Sequence, residues 1–297
     1  MSVFFIFAAI CFNMIVIIGA DGFLGGCVAE RLQDVAAWNV FSKADVVPFS
    51  DTEAFFRFLP AHYHEVEWVI YCDKRIPNAA LSVFRYEIVQ KLWTVAARYS
   101  VPLLYAFYQS VELSESDFHP DRFVLWTGCQ YQKPPFWYIF RLGEVYGQEE
   151  DVAGETISRV CAFYRQIVAL GEIVLPESER ETEHAVVMRD YMYVQDAVRV
   201  FYWFLQHRPA NGVYDLGSGF ERTDLAVVNA IFRALKRPPQ IRYTLSHPEE
   251  FTGKPDFFLP DLRDLRRIGY RKPFFTVEKG VKSFLRKPLL GKKNSVD

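Results

Sequence analysis

The 297-residue chain has no surplus of charge of either sign: 34 Lys and Arg face 36 Asp and Glu, for a net charge of −2. It therefore lacks the electrostatic footprint of a nucleic-acid binder and has no acidic tail. It also lacks paired cysteines. Its five, Cys11, Cys27, Cys72, Cys129 and Cys161, include no C-x-x-C spacing and are odd in number. The expectation is unpaired thiols in a reducing, cytoplasmic setting. The six His have no metal-ligand spacing. His62 and His64 stand two apart with no third ligand near them in sequence, so no metal site is expected. The apolar run "MSVFFIFAAICFNMIVII" has no Lys or Arg, and so no basic n-region. A membrane helix needs roughly 20 apolar residues. Met14 is a second start at the head of the first strand, so residues 1–13 are read as an apolar extension or a mis-assigned start, with no membrane partner. There is no internal repeat or low-complexity segment, and the basic stretch 286–297 is read as a solvated tail.

What is present is apolar and aromatic. Hydrophobic residues make up 51% of the chain, with 27 Phe and 16 Tyr, enough for a sizeable core. β-branched or aromatic runs ("MIVII", "VEWVIYC", "VPLLYAF") alternate with helical segments ("FLGGCVAERLQD", "ALSVFRYEIVQKLWTVAARYS"). That alternation predicts an α/β protein built on a Rossmann-type, doubly wound parallel sheet. "WNVFSK" and "ADVVPF" read as further short strands, and "SDTEAFFRFLP" as a capped helix. Farther on, "FWYIFRLGEVYG", "YMYVQDAVRVFYWFLQH" and "GVYDLGSG" carry strand and strand-turn-helix signals. "ETISRVCAFYRQIVAL" and "TDLAVVNAIFRALK" read as helices, "IRYTL" as a strand, and "DLRDLRRIGY" as a short helix closed by Gly269. The expected organisation is a nucleotide-binding domain over 14–147 and a smaller α/β substrate region over 148–285 whose strands return to the sheet.

The sharpest signal is "MIVIIGADGFLGG". Gly19, Gly22 and Gly25 follow a strand and open a helix. In such a loop the first glycine allows the tight turn and the second lets backbone approach a pyrophosphate. The third allows close helix–strand packing, and the helix N-terminus supplies free N–H groups. Gly19, Asp21, Gly22, Phe23, Leu24 and Gly25 are thus the candidate cofactor-binding residues. "WNVFSKADVV" puts Ser42 and Lys43 near the end of the second strand, where an acidic residue would favour NAD. Lys43 suits a 2′-phosphate, so the reading leans to NADP over NAD.

Together with "RDYMYVQDAVRVFYWFL" and "GVYDLGSG", this opening resembles the extended short-chain dehydrogenases/reductases, the nucleotide-sugar epimerases and dehydratases. The likeness spans roughly residues 14–285 and is strongest toward the heptose epimerases. The resemblance implies a tightly held NADP that accepts and returns a hydride, and a nucleotide-diphosphate sugar such as an ADP-heptose as substrate. It also implies a place in surface-polysaccharide (lipopolysaccharide) synthesis. In that family a Tyr in Y-x-x-x-K is the base, the Lys lowers its pKa, and a Ser or Thr after the fifth strand binds the reacting oxygen. The resemblance also implies that Arg189 and Lys254 hold the substrate's phosphates, with Asp190 as an alternative ion-pair partner of Arg189. The turn Gly217–Gly219 could face the ligand. Homo-oligomers are common on this fold.

The catalytic set is where the chain departs. None of the 16 Tyr is followed four residues later by Lys. Tyr71 precedes Arg75, and Tyr131 stands only two before Lys133, which do not share a helix face. "YAFYQSVEL" puts Tyr108 at the Ser/Thr position, with Ser110 two residues beyond it. Ala153 falls where the heptose epimerases have a further Lys, and the helix that would carry Y-x-x-x-K is missing. Whether the chain is an enzyme is left open by the sequence. One expectation is a pseudoenzyme that binds nucleotide without ordinary turnover. The other is relocated chemistry, with Tyr108 as acid or base and Lys133 or Arg141 beside it.

Overall fold

The computed structural model describes residues 14–33, 39–40, 52–75, 81–108, 132–148, 150, 155–177, 188–244 and 258–286. Six parallel strands form the main sheet. In space their order is β2 (Asn39–Val40), β1 (Met14–Ile18), β3 (Val66–Cys72), β4 (Leu103–Tyr108), β5 (Trp137–Leu142) and β9 (Gly212–Leu216). The order reverses between β1 and β3, which is where a doubly wound sheet opens a crevice at the carboxyl ends of its strands. The sheet returns the strand β9 from far along the chain, pairing Tyr138–Leu142 with Gly212–Leu216. A small sheet joins β6 (Glu144–Tyr146), β8 (Arg189–Tyr193) and β10 (Glu221–Arg222), and a parallel pair joins β7 (Ile173–Pro176) to β11 (Ile241–Thr244).

Strand alternation builds two cores. Ile15, Ile17, Trp68, Ile70, Leu104, Ala106, Tyr138 and Phe140 point to one face. That face is covered by α1 (Phe23–Gln33) and α5 (Val194–His207). Val16, Ile18, Val69, Tyr71, Leu103, Tyr105, Phe107 and Ile139 point to the other, under α2 (Thr52–His62) and α3 (Leu81–Arg98). This is the period-two pattern of a sheet buried on both sides. The aromatic richness of the sequence is used here: Phe140 packs on Phe201 and Phe204, each with ring centroids 4.8 Å away.

Capping follows the residue chemistry. Ser158 opens α4 (Arg159–Leu170) by accepting from the Cys161 N–H at 3.1 Å, and Gly171 closes it at φ +77°. Thr223 opens α6 (Asp224–Leu235), accepting from the Ala226 N–H at 3.0 Å. Gly269, at φ +103°, follows the short α7 (Arg263–Arg267). Helix α8 (Val277–Arg286) and strand β7 had no expected counterpart; α8 packs Val277, Val281 and Phe284 into the core. The expected strand "ADVVPF", Lys43, Lys254 and the segment meant to carry Y-x-x-x-K lie outside the described residues, as do residues 1–13 and all of the tail past Arg286.

Candidate functional site

Gly19 leaves β1 at φ +83°, and a Cβ there would stand 2.1 Å from the Cys72 carbonyl oxygen of β3. Only glycine turns at that spot. Gly25 is equally constrained, because its Cβ would meet the Gly19 carbonyl oxygen at 2.1 Å. The turn is tied by Gly22 N–H donating to Gly19 O (3.0 Å) and Gly26 N–H donating to Gly22 O (2.8 Å). Phe23 and Leu24 bury their side chains in the core, so their backbone rather than their side chains faces the crevice. All six loop residues singled out in the sequence are therefore gathered at the carboxyl end of β1, beside the switch point.

The space above Gly22 is filled by a side chain. The Phe23 N–H donates to Glu155 Oε1 (3.0 Å), and an ideal Cβ on Gly22 would lie 2.5 Å from that oxygen. The other Glu155 oxygen accepts from the Arg75 N–H (3.4 Å). Burial pushes the Glu155 carboxyl above its ordinary range, opposed by the Phe23 and Arg75 N–H groups. On the loop's outer side the Lys74 ammonium pairs with Asp21 at 2.7 Å.

Arg75 holds this region together. Its guanidinium donates to Val145 O, pairs with buried Glu150 (3.4 Å), and lies over the Tyr108 ring, 4.6 Å from the centroid. Burial works against the cation, but Tyr108, Glu144, Glu150 and Glu155 hold its pKa above the usual value. Glu150 is fully satisfied: Gly147 N–H (2.7 Å), Ser158 N–H (2.6 Å) and Ser158 Oγ (2.8 Å) also donate to it. Arg75, Glu150 and Glu155 were not singled out in the sequence. The charged triplet "DKR" directly after the buried strand "VEWVIYC" was the available signal, since the carboxyl ends of such strands face the crevice. Glu150 and Glu155 sit in "QEEDVAGE" with no local pattern to mark them.

Tyr108 ends β4 in the same crevice, on the α1 side of the sheet. Its hydroxyl has no hydrogen-bond partner among the described residues, and burial raises its pKa well beyond what the Arg75 cation offsets. Such a hydroxyl can donate a hydrogen bond but does not ionise near neutral pH. The nearby cation is Arg75. Lys133 precedes β5, whose Trp137 registers with Leu103, so it lies at the far end of the sheet from Tyr108. Arg141 registers with Phe107 and pairs with Asp215 at 2.5 Å. Tyr71, the other near match to the family's base, is on a strand and its ring stacks on Tyr105 in the opposite core, at 5.2 Å.

A second cluster surrounds Arg189. Its guanidinium pairs with buried Asp224 (3.5 Å), which also accepts from Arg159 and from the Tyr191 hydroxyl. Arg222 registers beside Arg189 across β10 and β8. Asp190 is not the ion-pair partner of Arg189. It accepts from Ser218 N–H (2.6 Å) and Gly219 N–H (2.7 Å), and so clamps the Gly217–Gly219 turn. Among the described residues no group of three His, Cys, Asp or Glu could hold a metal.

A parallel sheet with this reversal, a glycine loop at it and a small mixed sheet beside it define a Rossmann-type, doubly wound architecture. Residues 127–217 match the NAD dependent epimerase/dehydratase family. The ADP-L-glycero-D-manno-heptose-6-epimerase of Nitratidesulfovibrio vulgaris (strain DP4) is 37% identical over 147 residues, covering 49% of this chain and 45% of that protein. The chain thus spans about half the length of the curated relative it matches. Two solved structures share the fold more completely. The Helicobacter pylori ADP-L-glycero-D-manno-heptose-6-epimerase has a TM-score of 0.67 at 18% identity, covering 93% of this chain and 96% of that one. The Thermotoga maritima UDP-glucose 4-epimerase, solved with UDP-glucose, has a TM-score of 0.68 at 17% identity, covering 92% and 97%. The likeness in sequence to the epimerase/dehydratase family model covers residues 127–217, that to the heptose epimerase covers about half of each chain, and the two solved structures share the fold.

Proposed function

We propose that this chain is a divergent member of the heptose-epimerase group that keeps the dinucleotide loop but not the ordinary epimerase chemistry. What supports it is Tyr108: the family likeness puts it at the Ser or Thr position, and its buried hydroxyl has no hydrogen-bond partner among the described residues. The absence of any Tyr followed by Lys at the fourth position agrees with that reading. In this reading the backbone at Gly19, Gly22, Phe23, Leu24 and Gly25 would receive a dinucleotide's diphosphate, with Asp21 at its rim and Lys43 as the residue that would favour NADP over NAD. A bound nicotinamide would supply the hydride acceptor. The chain's own part is to bind and orient it.

Arg189, with Arg222 aligned beside it and Lys254 from a later segment, would hold the diphosphate of a sugar nucleotide such as an ADP-heptose. Arg189 is part-buried, and its pair with Asp224 orients the guanidinium. The setting we propose is cytoplasmic, in the supply or regulation of surface-polysaccharide precursors; no helix among the described residues is long and apolar enough to cross a membrane. A second reading, an enzyme with relocated groups, is favoured by the Tyr108 hydroxyl, which has no partner among the described residues and could donate a hydrogen bond to a substrate oxygen. Titration of the protein with NADPH and NADH, followed by an ADP-heptose turnover assay, separates the two. Binding without turnover supports the first reading, and turnover of about 1 per second or faster supports the second.

A further inference from the structure

We propose that Glu155 is an internal competitor for the diphosphate seat at the start of α1, an autoinhibitory contact that an incoming dinucleotide must displace. This rests on the dinucleotide reading of the loop. The first-turn N–H groups of a helix favour an anion, and here the anion is the chain's own: Glu155 Oε1 accepts from Phe23 N–H at 3.0 Å. It fills the space that Gly22 leaves open, 2.5 Å from where a Cβ would be. A phosphate cannot share that space, since two anions would meet in a partly buried site.

The seat of Glu155 is built rather than incidental. Its next residue is locked to the segment after β3: the Thr156 N–H donates to Arg75 O at 2.8 Å, and the Thr156 hydroxyl donates to the same oxygen at 3.2 Å. In return the Arg75 N–H donates to Glu155 Oε2 at 3.4 Å, and Arg75 Nη1 donates to Thr156 O at 3.4 Å. The buried Arg75–Glu150 pair anchors both segments. Lys74, the other cation at the loop, is held by Asp21 at 2.7 Å. Two acidic side chains therefore take the N–H group and the ammonium that a diphosphate would use.

The test is a titration of the full chain, as wild type, Glu155→Gln and Glu155→Ala, with NADPH, NADH and inorganic pyrophosphate. Near-ultraviolet circular dichroism checks that each variant keeps the fold, and the isosteric Glu155→Gln guards against loss of the Ala variant. Removing one charge-assisted competitor should tighten pyrophosphate and NADPH by about tenfold or more in Glu155→Ala. Glu155→Gln, which keeps an oxygen on Phe23 N–H without the charge, should fall between. Tighter pyrophosphate without binding of either nicotinamide upholds the competitor and removes the dinucleotide reading. Equal NADPH affinity in all three proteins overturns the competitor and leaves the dinucleotide reading standing. Failure of every probe to bind any of the three overturns both.

Discussion

At the residue scale, the loop after β1 is fixed by backbone contacts and the crevice above it by charges. Gly19 at φ +83° has the Cys72 carbonyl against it, so Gly19→Ala should destabilise the fold by more than about 1 kcal/mol, measured by denaturant unfolding. Glu150 gives a pH signature. Burial raises its folded pKa above the unfolded value, despite Arg75 and the Ser158 and Gly147 donors. For a raised carboxyl, the stabilising contribution is present below the unfolded pKa and is lost as pH rises through the folded one. The stability of wild type relative to Glu150→Gln should therefore fall as pH is raised from about 4 through the raised pKa, and then level off. A difference that grows with pH would contradict the assignment.

At the scale of elements, the helices that cover the sheet are held by aromatic packing and side-chain caps. Phe204 touches Tyr138, Phe140 and Tyr214, with centroids at 4.8, 4.8 and 5.0 Å. Phe204→Ala should cost about 3–5 kcal/mol, read by chemical denaturation. Thr223→Ala, which removes the cap of α6, should cost only about 1 kcal/mol in the same measurement. These elements were legible because their signals are local. Continuous apolar runs gave β1, β3 and β4, and the glycine loop gave the turn into α1. The strand β7 and helix α8 were not legible. "IVLP" is short, and "VEKGVKSFLR" is a brief, charge-rich segment whose apolar face (Val277, Val281, Phe284) carries a glycine. That glycine is needed: a Cβ on Gly280 would lie 1.9 Å from the Tyr146 hydroxyl.

At the scale of the molecule, the candidate site was half legible. The glycine loop is contiguous, so its residues could be named from sequence. The cluster that closes over it joins Arg75, Tyr108, Glu150 and Glu155, which are brought together only by the β1–β3 switch and by the return of the chain after β6. Pairs 75 or 80 residues apart leave no periodic trace. Arg189 was nameable from the family likeness, but its partner Asp224, 35 residues away, was not. In the function proposed here, the nucleotide-binding frame persists while ordinary epimerase turnover does not. The most direct measurement is turnover of an ADP-heptose by the full chain at saturating NADP, followed by separation of the two epimers. Interconversion should stay well below ~1 per second. Interconversion at that rate or faster would contradict that reading.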